Sequence, residues 1–98
     1  MIVALSGELD IADKEKIDEA LAPLRNLSSG IVDLSGVTYL DSTVIGAAVA
    51  LHRDAIERGA RIVFVKPPPN VMRLFDMTQL SQVLKFYDTV DQAAADVL

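Results

Sequence analysis

Cysteine is absent from this 98-residue chain, and histidine occurs only once, at position 52. Without cysteine the protein can form neither a disulfide nor a thiolate metal site, and a single histidine excludes the usual histidine-rich metal sets. We therefore expect no metal and no cofactor. Tryptophan is also absent and only 5% of the residues are aromatic, so a platform that stacks nucleic-acid bases is not expected.

Long apolar runs are missing as well. None approaches the roughly 20 residues that a helix needs to cross a bilayer, so membrane insertion is not expected. The N-terminus lacks the basic stretch and apolar segment of an export signal, which favours a cytoplasmic location. The net charge is −5 and the few basic residues are scattered, which argues against DNA or RNA as a partner.

What the chain does have is a high apolar content of 51%, enough for one core, and a length that fits a single domain over residues 1–98. Apolar periodicity alternates between strand and helix patterns along the chain. This alternation predicts an α/β fold with a largely parallel sheet of about four strands and four helices packed on it. The predicted strands cover residues 2–6, 31–34, 61–65 and 83–87.

Proline, glycine and asparagine residues indicate where the helices are expected to begin and end. Pro23 predicts that the first helix ends or bends near Leu21, because proline removes a backbone hydrogen bond. The central helix is expected over residues 42–58, with Gly59 as its left-handed cap and with Ile56 among its inward-facing residues. Asn70 is expected to cap a short third helix.

The last helix is expected to start at Thr89, which forms a capping box with Gln92. At the start of the first helix, Asp10 or Asp13 is the expected cap.

The segment Asp41-Ser42-Thr43 opens the central helix. One interpretation is an ordinary N-cap, in which Asp41 or Ser42 satisfies a backbone N–H group. The other is a regulatory hydroxyl, because unsatisfied N–H groups and the helix dipole favour a phosphate at this position. The residues alone leave both interpretations open.

Catalysis finds little support in the sequence. His52 lies ten residues after Ser42 in the same predicted helix, which places it about 15 Å away along the axis. A serine-hydrolase triad would therefore need a carboxylate or a lysine as its base. Acidic residues could converge at one sheet end as a metal or acid–base site, or they could simply cap helices and solvate loops: Glu8, Asp10, Asp33 and Asp41. We expect a protein that is not an enzyme.

Several motifs in register make the chain recognisable. They are GELD at residues 7–10, IVDLSGV at 31–37, DST at 41–43 and NVMRLFDMTQL at 70–80. Together they resemble a STAS domain of the bacterial anti-sigma factor antagonist family, from about residue 2 to the C-terminus. The resemblance implies a transcription regulator that works through protein–protein interaction, with a STAS-like fold.

The resemblance also implies site residues and partners. The serine that matches the phosphorylated family serine is Ser42, and the implied partner is an anti-sigma factor with serine kinase activity, with a phosphatase as a further partner. The unphosphorylated form would bind the anti-sigma factor and release the sigma factor. Asp10 matches a partner-contacting aspartate, and Asp41, Thr43 and Val44 would flank the same surface.

Two departures from the family pattern stand out. Val44 occupies a position where the family usually has glycine, which places bulk next to the phosphorylated serine. The family's leading edge strand has no counterpart before Ile2. An alternative function is a STAS adaptor subunit of a transport or lipid-trafficking complex, in which Ser42 is never phosphorylated. The sequence does not indicate an oligomeric state.

Overall fold

The computed structural model describes residues 1–98, in which four strands alternate with four α-helices. Three short 3-10 turns also occur, at Ile11–Asp13, Ala22–Asn26 and Leu80–Gln82. The main elements are β1 (Ile2–Leu9), α1 (Lys14–Leu21), β2 (Ser29–Leu40), α2 (Ser42–Arg58), β3 (Arg61–Val65), α3 (Pro69–Met77), β4 (Phe86–Tyr87) and α4 (Val90–Val97).

All four strands run parallel in a single sheet of order β1-β2-β3-β4, which confirms the expected fold class. Each strand joins the sheet beside the one before it. Because parallel crossovers are right-handed, three successive crossovers in the same direction place α1, α2 and α3 on one face of the sheet. Helix α4 follows the last strand and covers the other face.

Two apolar clusters result from this arrangement. The larger one joins the three crossover helices to the sheet, and its most deeply buried members include Leu24, Leu51, Phe64 and Phe75. The smaller one lies under α4 and consists of Ile31, Val63, Val65 and Ala93. No helix is long and apolar enough to cross a membrane.

Helix α2 matches its predicted bounds. It ends at Arg58 and is capped by Gly59, whose φ of 72° is the left-handed conformation that glycine adopts without strain. The Gly59 N–H donates to the carbonyl oxygens of Ala55 and Ile56. The expectation that Ile56 faces inward is wrong, because its side chain is 64% exposed. Its neighbour Ala55 occupies the buried position of that turn instead.

The first two strands are longer than expected. Strand β1 passes through Gly7 to Leu9, and Gly7 takes a φ of 80° between two register shifts in the β1–β2 ladder. Strand β2 continues past its expected end at residue 34, because Gly36 pairs with Ser6 of β1. Pairing between distant segments therefore overrides local turn signals here.

Two predictions about the C-terminal half are wrong. Asn70 does not cap α3, because Pro68 holds the N-cap position and Pro69 begins the helix, where its missing N–H costs nothing. Strand β4 has only two residues instead of the expected 83–87. It is anchored by Phe86, whose ring centroid lies 5.1 Å from that of Phe75.

The predicted helix ends near α1 and α4 are partly confirmed. The α-helical hydrogen bonding of α1 gives way to a 3-10 turn after Leu21, as Pro23 predicted. Thr89 caps α4 by accepting a hydrogen bond from the Gln92 N–H at 3.1 Å, but the Gln92 side chain makes no return bond, so the expected capping box is incomplete.

Polar contacts fasten α4 to the sheet. The Tyr87 hydroxyl donates to the Asp96 carboxylate, and the Arg61 guanidinium donates to the Asp96 carbonyl oxygen at 3.1 Å. The hydrogen bond from Tyr87, together with the charge of Arg61, lowers the pKa of Asp96. The same hydrogen bond raises the pKa of Tyr87.

Truncating Leu51, which is fully buried, should destabilise the fold. Leu51→Ala removes packing between α2 and the sheet, and we expect a loss of about 2–5 kcal/mol in the free energy of unfolding. Ile56→Ala, on the exposed side of the same helix, is the matched control and should change stability by less than about 0.5 kcal/mol. Urea denaturation of both variants tests this, and equal losses would contradict the assigned helix face.

Acidification should weaken the attachment of α4 through Asp96. The folded pKa of Asp96 is depressed, so its contribution is present above the ordinary value of 3.8 and is lost as pH falls through the folded value. The difference in Tm between wild type and Asp96→Asn, followed by circular dichroism from neutral to acidic pH, should therefore narrow below about pH 4. A difference that stays constant into acid would exclude this ion-pair network as a source of stability.

Candidate functional site

The site lies where β1 and β2 end together at one edge of the sheet. Leu9 pairs with Leu40 as the last step of the β1–β2 ladder, so the segments that follow, Ile11–Asp13 and the start of α2, leave the sheet side by side. The GELD and DST motifs are some thirty residues apart in sequence, and parallel pairing brings them together.

Asp41 joins the two segments through its carboxylate. One oxygen, Oδ1, accepts hydrogen bonds from the N–H groups of Thr43 at 3.0 Å and Val44 at 3.3 Å, which caps α2. The other oxygen, Oδ2, accepts from the Ile11 N–H at 3.1 Å. A single side chain therefore fixes the start of α2 against the loop that follows β1.

That loop is closed on itself as well. Asp10 Oδ1 accepts from the Ala12 N–H at 2.9 Å, and the Asp10 N–H donates to Asp13 Oδ2 at 3.0 Å. This is a capping box around the 3-10 turn Ile11–Asp13. Asp10 therefore caps this turn rather than α1, and its side chain stays exposed to solvent.

Ser42 is the first residue of α2 and its side chain is exposed. Asp41 takes the N-cap position, so the hydroxyl of Ser42 is not needed to cap the helix. The expectation of unsatisfied N–H groups beside Ser42 is wrong for the next three residues. The N–H groups of Thr43 and Val44 donate to the Asp41 carboxylate, and the Ile45 N–H donates to the Asp41 carbonyl oxygen at 3.2 Å.

The two residues after Ser42 differ in exposure. Thr43 is half-buried, whereas Val44 is only 4% exposed and packs in the main core. The expected role of the Val44 side chain in partner contact is therefore not supported. The bulk that departs from the family's glycine is directed into the core, while Gly46, with open space around its Cα, lies on the exposed side of α2.

An open groove of about 630 Å³ runs between α1 and α2 beside Ser42. Its lining combines charged residues of α1 and the following turn with small residues of α2: Lys14, Asp18, Arg25, Ser42, Thr43, Gly46, Ala47 and Ala50. Lys14 Nζ lies 2.6 Å from Asp18 Oδ2. The groove therefore places the basic side chains of Lys14 and Arg25 on the same surface as Ser42.

Exposed apolar side chains also lie at this edge. Ile11 is 71% exposed and Tyr39, which is in register with Glu8 at the end of the β1–β2 ladder, is 52% exposed. Sequence reasoning missed both residues. The available signal for Ile11 was an apolar residue outside the helical spacing that Ile17, Leu21 and Leu24 follow.

Groups for hydrolysis or metal binding are not assembled here. His52 lines a separate cavity with Arg61 and Lys85. The Asp33 carboxylate accepts from the Ser35 N–H at 2.9 Å within β2, so it does not join the acidic residues at the sheet edge. No three His, Asp or Glu side chains stand close enough together to hold a metal ion. The arrangement presents a hydroxyl on a protein surface.

The STAS domain family model matches residues 1–93, so the chain belongs to the STAS domain family. It is 31% identical over 86 residues to the anti-sigma-B factor antagonist of Listeria monocytogenes, a match that covers 85% of this chain and 75% of that protein. A Bacillus subtilis protein of the same name is 28% identical over 83 residues and covers 84% of this chain and 76% of its own.

Solved structures give the same fold. A Thermotoga maritima protein assigned as an anti-sigma factor antagonist superposes with a TM-score of 0.86 at 25% identity, covering 98% of this chain and 86% of its own. SpoIIAA, an anti-sigma factor antagonist, superposes with a TM-score of 0.79 at 21% identity in its unphosphorylated form, covering 97% of this chain and 84% of its own. The phosphorylated Bacillus form gives 0.73 at 20% identity, covering 97% and 86%.

Removing the Asp41 carboxylate should loosen both segments of the site. Asp41→Ala deprives three N–H groups of their acceptor, and we expect a loss of about 1–2 kcal/mol in the free energy of unfolding. Asp41→Asn keeps an oxygen that caps α2, but its amide nitrogen cannot accept from Ile11. Amide hydrogen exchange should therefore speed up at Ile11 in both variants and at Val44 only in Asp41→Ala; unchanged exchange at Ile11 would refute the bridging role.

Proposed function

We propose that this protein is an anti-sigma factor antagonist whose partner binding is switched by phosphorylation of Ser42. The observation that carries the proposal is the exposed hydroxyl at the start of α2, on an edge that Asp41 holds in place. Relatives that bear the name anti-sigma factor antagonist support it, at about 30% identity over most of the chain. The existence of phosphorylated and unphosphorylated SpoIIAA structures supports a switch by phosphate in this fold.

In the unphosphorylated state, the edge around Ser42 docks onto the anti-sigma factor and thereby releases the sigma factor. Exposed Ile11 and Tyr39 supply the apolar contacts, since aromatic and aliphatic side chains anchor most protein interfaces. Asp10 supplies a carboxylate for basic groups of the partner, and Thr43 contributes its half-buried side chain. The capping box keeps this surface ordered before binding, which lowers the entropic cost of association.

Phosphorylation opposes this docking. A phosphate on Ser42 adds about −1.5 to −2 charges beside the carboxylates of Asp10 and Asp41. A partner surface that fits the free hydroxyl would then have to desolvate a dianion, and a charge that is buried without a partner is costly at an interface. Because Ser42 is exposed and takes no part in capping, its phosphate leaves the fold intact. The switch therefore acts on the interface.

The proposal implies particular partners and a setting. The anti-sigma factor supplies the serine kinase activity, and a phosphatase restores the free hydroxyl. The protein acts as a binding partner and substrate rather than as an enzyme, in the cytoplasm where transcription takes place. The alternative, an unphosphorylated adaptor in a transport or lipid-trafficking complex, uses the same surface without chemistry at Ser42.

Changing Ser42 should separate binding from its regulation. With the host's anti-sigma factor kinase and nucleotide, Ser42→Ala should bind like the wild type and gain no phosphate. Ser42→Asp should bind at least about tenfold more weakly, since the added charge is buried at the interface. Isothermal titration calorimetry measures the affinity, and intact-mass spectrometry after incubation with the kinase measures phosphate transfer.

Ser28→Asp is the matched control, because Ser28 is exposed and precedes β2, at the opposite edge of the sheet from Ser42. It adds the same charge and should bind normally. If Ser42→Asp binds as tightly as wild type and Ser42 never gains phosphate, the switch is excluded and the adaptor function is favoured.

A further inference from the structure

Lys14 stands at the end of the α1–α2 groove that contains Ser42. It is the first residue of α1, and both α1 and α2 begin at the edge where their preceding strands end. Its side chain lines the groove together with Ser42 and Thr43. At 59% exposure, the flexible lysine stem can move without repacking the core.

The present partner of Lys14 is replaceable. Its ammonium group pairs with Asp18 one turn along α1, at 2.6 Å, and the Asp18 side chain is itself 45% exposed. Exposed ion pairs of this spacing contribute little to stability, because water screens them and both side chains lose freedom. A stronger anion nearby can therefore take the lysine from Asp18 at small cost.

The backbone N–H groups that follow Ser42 are not free to bind a phosphate on this residue. The Asp41 carboxylate already accepts from the N–H groups of Thr43 and Val44, and the Ile45 N–H donates to the Asp41 carbonyl oxygen. A phosphate could use these groups only by displacing Asp41 and releasing Ile11. Side chains in the groove are the remaining source of positive charge.

Arg25 lines the same groove but lies towards its other end. Among the groove residues of α2, Ala50 follows Ser42 by eight positions, which is about 12 Å along the helix axis. On the other wall of the groove, Arg25 lies in the turn after α1, seven positions beyond Asp18, and so it is further from the start of both helices than Lys14 is. Lys14 is thus the basic residue at the Ser42 end, and Arg25 is a natural control within the same groove.

We propose that Lys14 leaves Asp18 and binds the phosphate when Ser42 is phosphorylated. This inference rests on the phosphorylation of Ser42 that the proposed function includes. A phosphate dianion forms stronger charge-assisted hydrogen bonds than a single exposed carboxylate. This contact links α1 to the start of α2 and holds the phosphate at the end of the groove. Lys14 then stabilises the phosphorylated form of the protein.

The second pKa of the phosphate reports this contact directly. Phosphoserine is incorporated at position 42 during synthesis, and the phosphorus NMR signal is followed against pH at physiological ionic strength. A nearby ammonium group favours the dianion, so the second phosphate pKa in the otherwise wild-type chain should lie about half a unit below that in Lys14→Gln. Asp18→Asn should lower the phosphate pKa further, because it removes both a competitor and a like charge.

Arg25→Gln is the control and should leave the phosphate pKa within about 0.1 unit of the otherwise wild-type value. Arg25 lines the far end of the groove, about 12 Å along α2 from Ser42, and the Debye length at physiological ionic strength is only about 8 Å. Equal titration of the wild-type and Lys14→Gln chains, or an equal shift in Arg25→Gln, would overturn the proposal. Thermal unfolding of each unphosphorylated variant verifies that it folds. Because no kinase or anti-sigma factor is used, a negative result here leaves the Ser42 switch itself standing.

Discussion

The geometry of the candidate site depends on one carboxylate. Asp41 caps the longest helix with one oxygen and holds the loop after β1 with the other. Two motifs far apart in sequence thereby form one surface. Because Asp41 caps the helix, the Ser42 hydroxyl is not needed for capping. A helix cap is usually a local device, worth about 1 kcal/mol to its own helix. Here it also sets the relation between two crossovers of the sheet.

Local pattern was enough for the elements that are local in origin. The bounds of α2 and the cap at Gly59 follow from apolar spacing and from the backbone freedom of glycine. The strand–helix alternation led to the parallel sheet because parallel neighbours require a crossover. Where the pattern failed, a distant partner had decided the structure: β2 was expected to end at residue 34, yet Gly36, Val37 and Tyr39 pair with β1.

The residues of the candidate site were predictable from the sequence, but their neighbours in space were not. Ser42, Asp10 and Asp41 could be named from motifs, and the structure brings them to one edge. Which of Asp41 and Ser42 caps the helix could not be decided, since both residue types favour that position. The contribution of Lys14 and Tyr39 depends on which helices and strands become neighbours. A one-dimensional pattern carries no such information. Helical spacing alone did place Val44 on the inward face of α2, where its side chain is buried.

The strands lie in the sheet in their order along the chain, so the last strand is at an edge and local unfolding can begin there. The last unit, β4 with α4, is held by a strand of only two residues, by one small apolar cluster and by the exposed polar contacts of Asp96. Such a unit opens more readily than the rest of the domain. Its departure would uncover Ile31, Val63 and Val65 on the side of the sheet opposite α1 and α2. Proteases would therefore cut first in this C-terminal unit, while the end of the sheet next to Ser42 stays folded.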